Sequence, residues 1–294
     1  MSELVKRQHF VPRTYLKHFG HTRGGKTYIY TCPKEGMPNK IRETNVEDTA
    51  VKKHLYTLPG NTIAQKMAIE KFYSRELEAH YDSIYKILTD PRRIKLSPTE
   101  RELIVSTVVT MFYRTTWWLS THQNNFNNML HSVYRLCERE KKDYFNFNGT
   151  KISIVGKTPD QLTREYTKEH QPTMMLNSLE IAIKLISLRM KKDVIVIHRL
   201  TNEKAEFITS DNPVTAQNLS GNTIPFDDRN ILRLPLDAKH MLSLTPLTGM
   251  EELNTVNRHR LDKINERFNK EQLEMSERFV FGSQTGLKLF LEQK

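Results

Sequence analysis

Residues 193–200, Asp-Val-Ile-Val-Ile-His-Arg-Leu, decide the fold class of this chain. Four consecutive apolar β-branched residues stand here, directly after a long segment in which apolar residues recur every three or four positions. A short apolar run of this kind, followed by turn residues, predicts a buried strand. Residues 201–204 predict a turn, and residues 205–209 predict the hairpin partner of the strand.

Upstream of this strand, residues 63–191 have a helical period. Ser97 followed by Glu100 is a capping box, and residues 158–161 repeat the same helix start signal. Pro172 predicts a break in the last helix of the block, because the residue before a proline avoids helical geometry. The period is carried at the start of the block by Met67, Ile69, Phe72, Leu77, Tyr81, Ile84, Tyr85 and Leu88.

Strand patterns return on both sides of the helical block. Residues 27–30 predict a strand near the start of the chain, and residues 192–294 predict a β-rich part with one more helix over residues 248–275. This order is typical of the α+β class rather than of a doubly wound sheet. We predict one α+β domain over residues 1–294, whose N-terminal and C-terminal strands join one antiparallel or mixed sheet.

Composition excludes several classes of protein. The chain has 294 residues, 45 Lys and Arg against 34 Asp and Glu, and a formal charge of +11, with too many large apolar residues for a disordered chain. Its two cysteines, Cys32 and Cys137, are too few and too far apart for a disulfide scaffold or a cysteine-only zinc site. No apolar run approaches the ~20 residues of a membrane span and no signal peptide is seen, so we expect a soluble, cytoplasmic protein.

Two polar segments concentrate the residues that could carry chemistry. Residues 8–19 place two histidines and two cations among aromatic residues, and residues 208–214 run from a strand into Thr-Ser-Asp-Asn-Pro. A carboxylate at a strand end is rigidly held, which suits a reactive or ligand-binding group. The positive charge makes nucleic acid or a nucleotide a plausible partner, although the cationic pairs are scattered over predicted element ends.

These segments resemble the two signatures of the family named domain of unknown function 4238. The N-terminal signature, His-x-Val-Pro-x-x-Tyr-Leu-x-x-Phe, stands at residues 9–19, and the C-terminal signature, Phe-Ile-Thr-Ser-Asp-Asn-Pro-Val, at residues 207–214. The resemblance covers nearly the whole chain, and it implies an architecture and a set of residues rather than a reaction. Further positions similar to the family are Ala68-Ile69-Glu70, Arg114, Leu234-Pro235-Leu236 and Val256-Asn257.

The residues carried over from the resemblance suit metal-assisted phosphodiester chemistry. His9 could be a general base or a metal ligand, and Asp211 and Glu70 could be acidic ligands of a divalent ion such as Mg²⁺ or Mn²⁺. Arg114 could neutralise a phosphate, and Asn212 could orient a ligand or water. We therefore expect His9, Asp211, Arg114 and Asn212 to act in catalysis, and His9, Asp211 and Glu70 to bind metal.

Three further residues are candidates for substrate binding, and each candidate has a purely structural alternative. Gln8, Arg13 and Ser210 flank the predicted catalytic residues in sequence. Against the functional interpretation, His9 could bond a backbone carbonyl, Asp211 and Asn212 could cap a turn, and Glu70 and Arg114 could form a buried ion pair between helices.

Three functions therefore stay open at this point, and the sequence does not decide whether the protein is an enzyme. The first is a metal-assisted phosphodiesterase or nuclease-like hydrolase that acts on nucleic acid or nucleotides. The second is a non-catalytic binding or regulatory protein of a mobile-element or phage-defence cassette. The third is a nucleotide-modifying transferase that uses no metal. The oligomeric state is not predicted.

Overall fold

A computed structural model describes residues 4–147, 149–218, 227–247, 252–262 and 265–293. Helices and strands both contribute extensively, which confirms the predicted α+β class. The helices are α1 (Arg13–Leu16), α2 (Ile63–Lys66), α3 (Ala68–Phe72), α4 (Tyr81–Thr89), α5 (Pro98–Tyr113), α6 (Thr116–Arg139), α7 (Pro159–Met190), α8 (Asn265–Met275) and α9 (Gln284–Glu292). Short three-ten turns lie at Lys17–Phe19, Pro38–Lys40, Val46–Asp48 and Glu78–His80.

Over the described residues, the strands form two five-stranded sheets and two small ladders. In chain order they are β1 (Arg7–His9), β2 (His21–Arg23), β3 (Lys26–Pro33), β4 (Arg42–Asn45), β5 (Val51–Lys53), β6 (Tyr144–Phe147), β7 (Thr150–Ser153), β8 (Asp193–Leu200), β9 (Thr209–Ser210), β10 (Thr215–Asn218), β11 (Asn230–Pro235), β12 (His240–Pro246), β13 (Val256–Leu261) and β14 (Phe279–Gly282).

The deciding strand, β8, lies inside a mixed sheet of order β10-β11-β12-β8-β13. It pairs antiparallel with β12 and parallel with β13, so both of its edges are occupied. The prediction that residues 205–209 form its hairpin partner is therefore wrong. Phe207 N instead donates to Ala238 O, and Thr209 enters the other large sheet through β9.

The second large sheet joins the two ends of the chain, as predicted. Its order is β2-β3-β14-β9, and β4 pairs in addition with residues 28–31 of β3. β14 lies antiparallel to β3 and to β9, so a strand from the N-terminal part and two from the C-terminal part share one ladder system. This sheet carries the beginning of the C-terminal signature into the same region as the N-terminal strands.

The helical block packs against the mixed sheet. α5 begins with the predicted capping box of Ser97 and Glu100, and it contacts α7 and β11. Ile195 and Ile197 of β8 belong to the same buried apolar cluster as the middle of α5. Removal of this apolar area from water is the main source of stability for such a layered arrangement.

Two helix boundaries differ from the predictions. α7 continues through Pro172 instead of breaking there, because packing of its buried stripe outweighs the one hydrogen bond that a proline removes. The predicted helix of residues 248–275 is wrong over residues 256–261, which form β13 at the edge of the mixed sheet. Its predicted start at residues 248–251 lies outside the described residues.

None of the helices among the described residues is long and apolar enough to cross a membrane.

The two signatures meet in space through a buried contact. The Tyr15 hydroxyl and Thr209 Oγ1 lie 2.5 Å apart, although the residues are 194 positions apart in the chain. Both side chains are fully buried, so this hydrogen bond has no competing water. The contact fixes α1 against the strand that leads into the C-terminal signature.

A double-mutant cycle on this contact tests the meeting of the signatures. Tyr15→Phe and Thr209→Val should each lower the free energy of unfolding by about 1–2 kcal/mol, because each leaves a buried hydroxyl partner unsatisfied or removes it. The double variant should lose less than the sum, because one hydrogen bond is removed by either change. Urea denaturation measures all four proteins, and strictly additive losses would contradict the contact.

Candidate functional site

The junction between α5 and α6 touches both signatures. It consists of Arg114, which faces the N-terminal signature, and Thr115, which faces the C-terminal one. Thr116 follows as the first residue of α6. Thr115 is the N-cap of α6 and accepts a hydrogen bond from the Trp118 N–H. Its hydroxyl also lies 3.2 Å from Asn212 Oδ1 and donates to it. The helix start and the C-terminal signature are therefore positioned by one side chain.

Arg114 lies at the centre of a buried polar cluster. Its Nη2 donates to His9 O at 2.7 Å and to Glu78 Oε1 at 2.8 Å. The guanidinium carbon lies 4.3 Å from the ring centroid of Tyr73 and 5.7 Å from that of Tyr56. A buried cation needs such partners, and the aromatic faces add a favourable cation–π attraction. The predicted ion pair of Arg114 is thus made with Glu78 rather than with Glu70.

Glu70 and His9 border this cluster with polar atoms that lack partners. Glu70 Oε2, His9 Nε2 and Arg114 Nε are buried and make no hydrogen bond within the described part of the chain. Burial raises the pKa of Glu70 to about 7, although the positive charge of Arg114 acts in the opposite direction. Burial, and then the charge of Arg13, lower the pKa of His9 below its usual value. Titratable groups whose pKa is shifted in this way are more frequent at functional sites than elsewhere on a protein.

An irregular helical segment supplies the two glutamates. α3 ends at Phe72 and is followed by a π-helical turn, Tyr73–Leu77, and then by the three-ten turn Glu78–His80. Because a π turn is wider than an α turn, it rotates the residues that follow it about the helix axis relative to a regular α-helix. Glu78 consequently reaches Arg114, a contact that a regular helical period does not predict.

Asp211 binds backbone instead of another side chain. Its Oδ1 accepts from the N–H of Glu277 at 2.9 Å, and its Oδ2 accepts from the N–H groups of Arg278 and Phe279 at 2.7 and 3.0 Å. Burial raises the pKa of Asp211 to about 6, while these three hydrogen bonds favour the ionised form. The ionised carboxylate therefore holds the connection between α8 and β14, an arrangement we call the Asp211 clasp.

The residues beside Asp211 are held in the same way. Asn212 is fully buried, donates from Nδ2 to Met275 O at 3.0 Å and accepts from Thr115. Ser210 Oγ lies 2.9 Å from Gln272 Oε1 and accepts from the Asn212 N–H at 3.1 Å. Every one of these bonds stays inside the protein, so Ser210 and Asn212 fix the position of the C-terminal signature.

The two remaining predicted residues, Gln8 and Arg13, differ in environment. Gln8 is fully buried, and its Oε1 accepts from the Tyr56 N–H at 2.6 Å. Arg13 is exposed and forms a long ion pair of 3.6 Å with Glu47, which contributes little to stability in water. Gln8 thus supports the strand ladder of β1 and β5, while Arg13 stays free to contact a ligand at the surface.

A pocket of about 380 Å³ lies between the Asp211 clasp and the N-terminal signature. Phe10, Phe279 and Phe281 form its apolar walls, and the clasp residues Asp211 and Glu277 line one side. Its hydroxyl groups come from Thr31, Thr44, Thr49 and Thr116. A concave site with apolar walls and a few convergent polar groups is typical of small-molecule binding.

Two cations at this pocket have no carboxylate partner among the described residues. Lys52 and Arg278 both line the pocket with exposed side chains. Of the carboxylates nearby, Asp48 pairs with Arg7, Asp211 binds the clasp and Glu277 accepts from Thr116. Lys52 and Arg278 therefore form no ion pair with these three acidic neighbours.

Ala50, at the pocket edge, adopts a left-handed backbone conformation with φ of 53°. This conformation is costly for a residue with a Cβ and is found most often at functional sites. The Phe10 N–H donates to Ala50 O at 3.0 Å, which ties the strained residue to the N-terminal signature. This hydrogen bond, and not the strain, positions the residue before β5, and with it Lys52, beside the N-terminal signature.

The structure divides the residues predicted for the site between two clusters. His9, Glu70 and Arg114 share the buried cluster, whereas Asp211 and Asn212 belong to the clasp region, and the α5–α6 junction links the two. Within the described ranges, no three side chains of His, Cys, Asp or Glu are grouped so that they could hold a metal ion. The divalent ion stays a prediction from the sequence.

Several residues of the candidate site were not found from the sequence. Lys52 lies in a cationic pair that is typical of an exposed strand end, and Arg278 precedes a strand without any motif. Thr116 and Glu277 bond each other across 161 positions of the chain. Of these residues, only those at the start of α6 had a signal in the local sequence, because Thr115 is a typical N-cap residue.

A family model described as protein of unknown function (DUF4238) matches residues 7–286 of the chain. The match includes both signatures, the buried cluster and every residue that lines the pocket. No curated protein and no solved structure matches the chain significantly.

Glu70→Gln tests the protonation of the buried cluster. The raised pKa means that stability conferred by the neutral carboxyl is complete below about pH 4.5 and is lost as pH rises through about 7. The variant should match the wild type at pH 5 and exceed its free energy of unfolding by about 1–2 kcal/mol at pH 8, after allowance for solvent screening. Urea denaturation at both pH values measures this. The exposed Glu76→Gln is the control, and an equal effect of both changes would refute the assignment.

Ala50→Gly tests the strain at the pocket edge. Glycine adopts the left-handed conformation without cost, so the variant should gain up to about 1 kcal/mol of unfolding free energy. Ala64→Gly in α2 is the control of opposite sign and should lose up to about 1 kcal/mol, because its backbone is helical. Thermal and urea denaturation compare the two. A loss of stability in Ala50→Gly would show that no strain is stored there.

Proposed function

The chain belongs to the family of proteins of unknown function DUF4238, and we propose from its pocket that it binds a nucleotide. One observation carries the proposal: a single pocket combines aromatic walls, hydroxyl groups and two cations that lack carboxylate partners within the described part of the chain. Each of these features matches one part of a nucleotide. A cytoplasmic location, where nucleotides are abundant, belongs to the same proposal.

The aromatic walls suit the base. Phe10 and Phe279 are pocket residues from the N-terminal signature and from the strand that follows the clasp. Stacking of a base on an aromatic ring contributes about 1–3 kcal/mol and is tolerant of base identity. The backbone of Phe10 is held in place, because its own N–H donates to Ala50 O and the preceding carbonyl, of His9, accepts from Arg114. Such a wall loses little side-chain freedom when a ligand binds.

The two cations suit the phosphates. Lys52 comes from β5 and Arg278 from the loop held by the Asp211 clasp, so they approach the pocket from different segments. Arginine can bind phosphate through two parallel N–H donors, and lysine adds a point charge. The net charge of +11 further favours the approach of an anion. A free nucleotide suits the pocket better than a long polymer, since a concave site of this size encloses one small molecule.

Hydrolysis of a phosphodiester bond is the second candidate function. The feature that favours it is burial of two carboxyl groups, which raises the pKa of Glu70 in the buried cluster to about 7 and that of Asp211 in the clasp to about 6. Groups of this kind can exchange a proton near neutral pH, as general acid–base catalysis requires. A divalent ion can reach the pocket together with the phosphates of the ligand, so Mg²⁺ is included in the test.

Isothermal titration calorimetry with the common nucleoside triphosphates, with and without Mg²⁺, tests the proposal. We expect micromolar binding of at least one nucleotide, and at least about a tenfold loss of affinity in the Lys52→Ala, Arg278→Ala double variant, because charge-assisted bonds to phosphate are removed. Product analysis after incubation with a labelled dinucleotide, which contains a phosphodiester bond, tests hydrolysis.

The matched control is the Lys53→Ala, Arg260→Ala double variant, which removes the same two charges from exposed positions outside the pocket. It should bind as the wild type does. No detectable binding of any nucleotide at millimolar concentration would contradict the proposal. Equal losses in both double variants would mean that only the overall charge matters and would contradict the assigned pocket.

A further inference from the structure

Glu277 is the carboxylate of the pocket that stays available to a ligand. Its Oε2 accepts a hydrogen bond from Thr116 Oγ1, and its Oε1 accepts none within the described residues. The other two acidic groups of the pocket are engaged, Asp48 by Arg7 and Asp211 by three backbone N–H groups. Glu277 can therefore accept a hydrogen bond that no protein group supplies.

The position of Glu277 is fixed before a ligand arrives. Its backbone N–H donates to Asp211 Oδ1 at 2.9 Å, so the clasp holds its main chain. Thr116, which holds its side chain, is the first residue of α6, directly after the N-cap Thr115. A group whose orientation is set by its neighbours loses little freedom on binding, which favours selectivity.

We propose that Glu277 recognises the ribose hydroxyls of the bound nucleotide, so that the pocket prefers ribonucleotides. This inference rests on the nucleotide binding proposed above. A carboxylate oxygen accepts strongly from a sugar hydroxyl and repels a phosphate, so Glu277 suits the sugar while Lys52 and Arg278 suit the phosphates. A carboxylate that binds ribose beside a phosphate site is a general solution in nucleotide-binding proteins.

The expected difference in affinity between a ribonucleotide and an analogue without ribose hydroxyls is moderate. A hydrogen bond to a charged group is worth more than a neutral one, yet Glu277 is half-buried and water can replace a missing hydroxyl. We therefore expect about a tenfold weaker binding of a dideoxy nucleoside triphosphate, which lacks both ribose hydroxyls, than of the matching ribonucleotide.

Calorimetry with this nucleotide pair tests the inference on the wild type and on Glu277→Gln and Thr116→Val. Glu277→Gln should reduce the discrimination to less than about threefold and leave the affinity for the dideoxy analogue nearly unchanged. Thr116→Val should reduce the discrimination in part, because the carboxylate loses its fixed orientation. Glu274→Gln, an exposed change on α8, is the matched control and should keep the full discrimination.

The outcomes separate the two proposals. Equal affinity of the wild type for both nucleotides would overturn ribose recognition and leave nucleotide binding intact. An unchanged discrimination in Glu277→Gln would also overturn the role of this residue. If neither nucleotide binds to the wild type, the proposed function is overturned, and the inference with it. Circular dichroism of each variant shows that the fold is kept.

Discussion

The rest of the structure depends on the buried guanidinium of Arg114. A charge inside a protein is stable only where a counter-charge and hydrogen-bond acceptors surround it, and here they come from separate segments of the chain. Glu78 supplies the charge, the His9 carbonyl supplies an acceptor, and the rings of Tyr56 and Tyr73 cover the faces. These partners are satisfied together only when the N-terminal segment lies against the helical layer, so the start of α6 is fixed as well.

The Asp211 clasp depends on that arrangement and completes it. Once α6 begins at a fixed place, Thr115 and Thr116 reach Asn212 and Glu277 across the interior. Asp211 then accepts from three successive backbone N–H groups, those of the two residues before β14 and of its first residue. The pocket follows from these two constraints, because its walls are the outer sides of segments that the buried polar groups hold in position.

Local patterns predicted the parts of the fold that local physics decides. The capping box at Ser97 started α5 as expected, and the apolar run in β8 formed a buried strand. The partners of β8 were not predictable from neighbouring residues, because antiparallel β12 and parallel β13 both lie later in the chain. The contact of Glu78 with Arg114 was missed for a related reason: a π turn breaks the regular period, and no residue type signals it.

The same reasoning explains why the candidate site could be found only in part. The signature residues have distinctive side chains. Those of Tyr15, Asp211 and Asn212 form hydrogen bonds inside the protein. The cations that would contact a ligand, Lys52 and Arg278, lie outside both signatures and resemble ordinary surface residues in sequence. A signature of this kind identifies the framework of a pocket, because buried polar groups tolerate few substitutes. The chemistry of the ligand is set instead by exposed residues on that framework, and only their placement in space makes them recognisable.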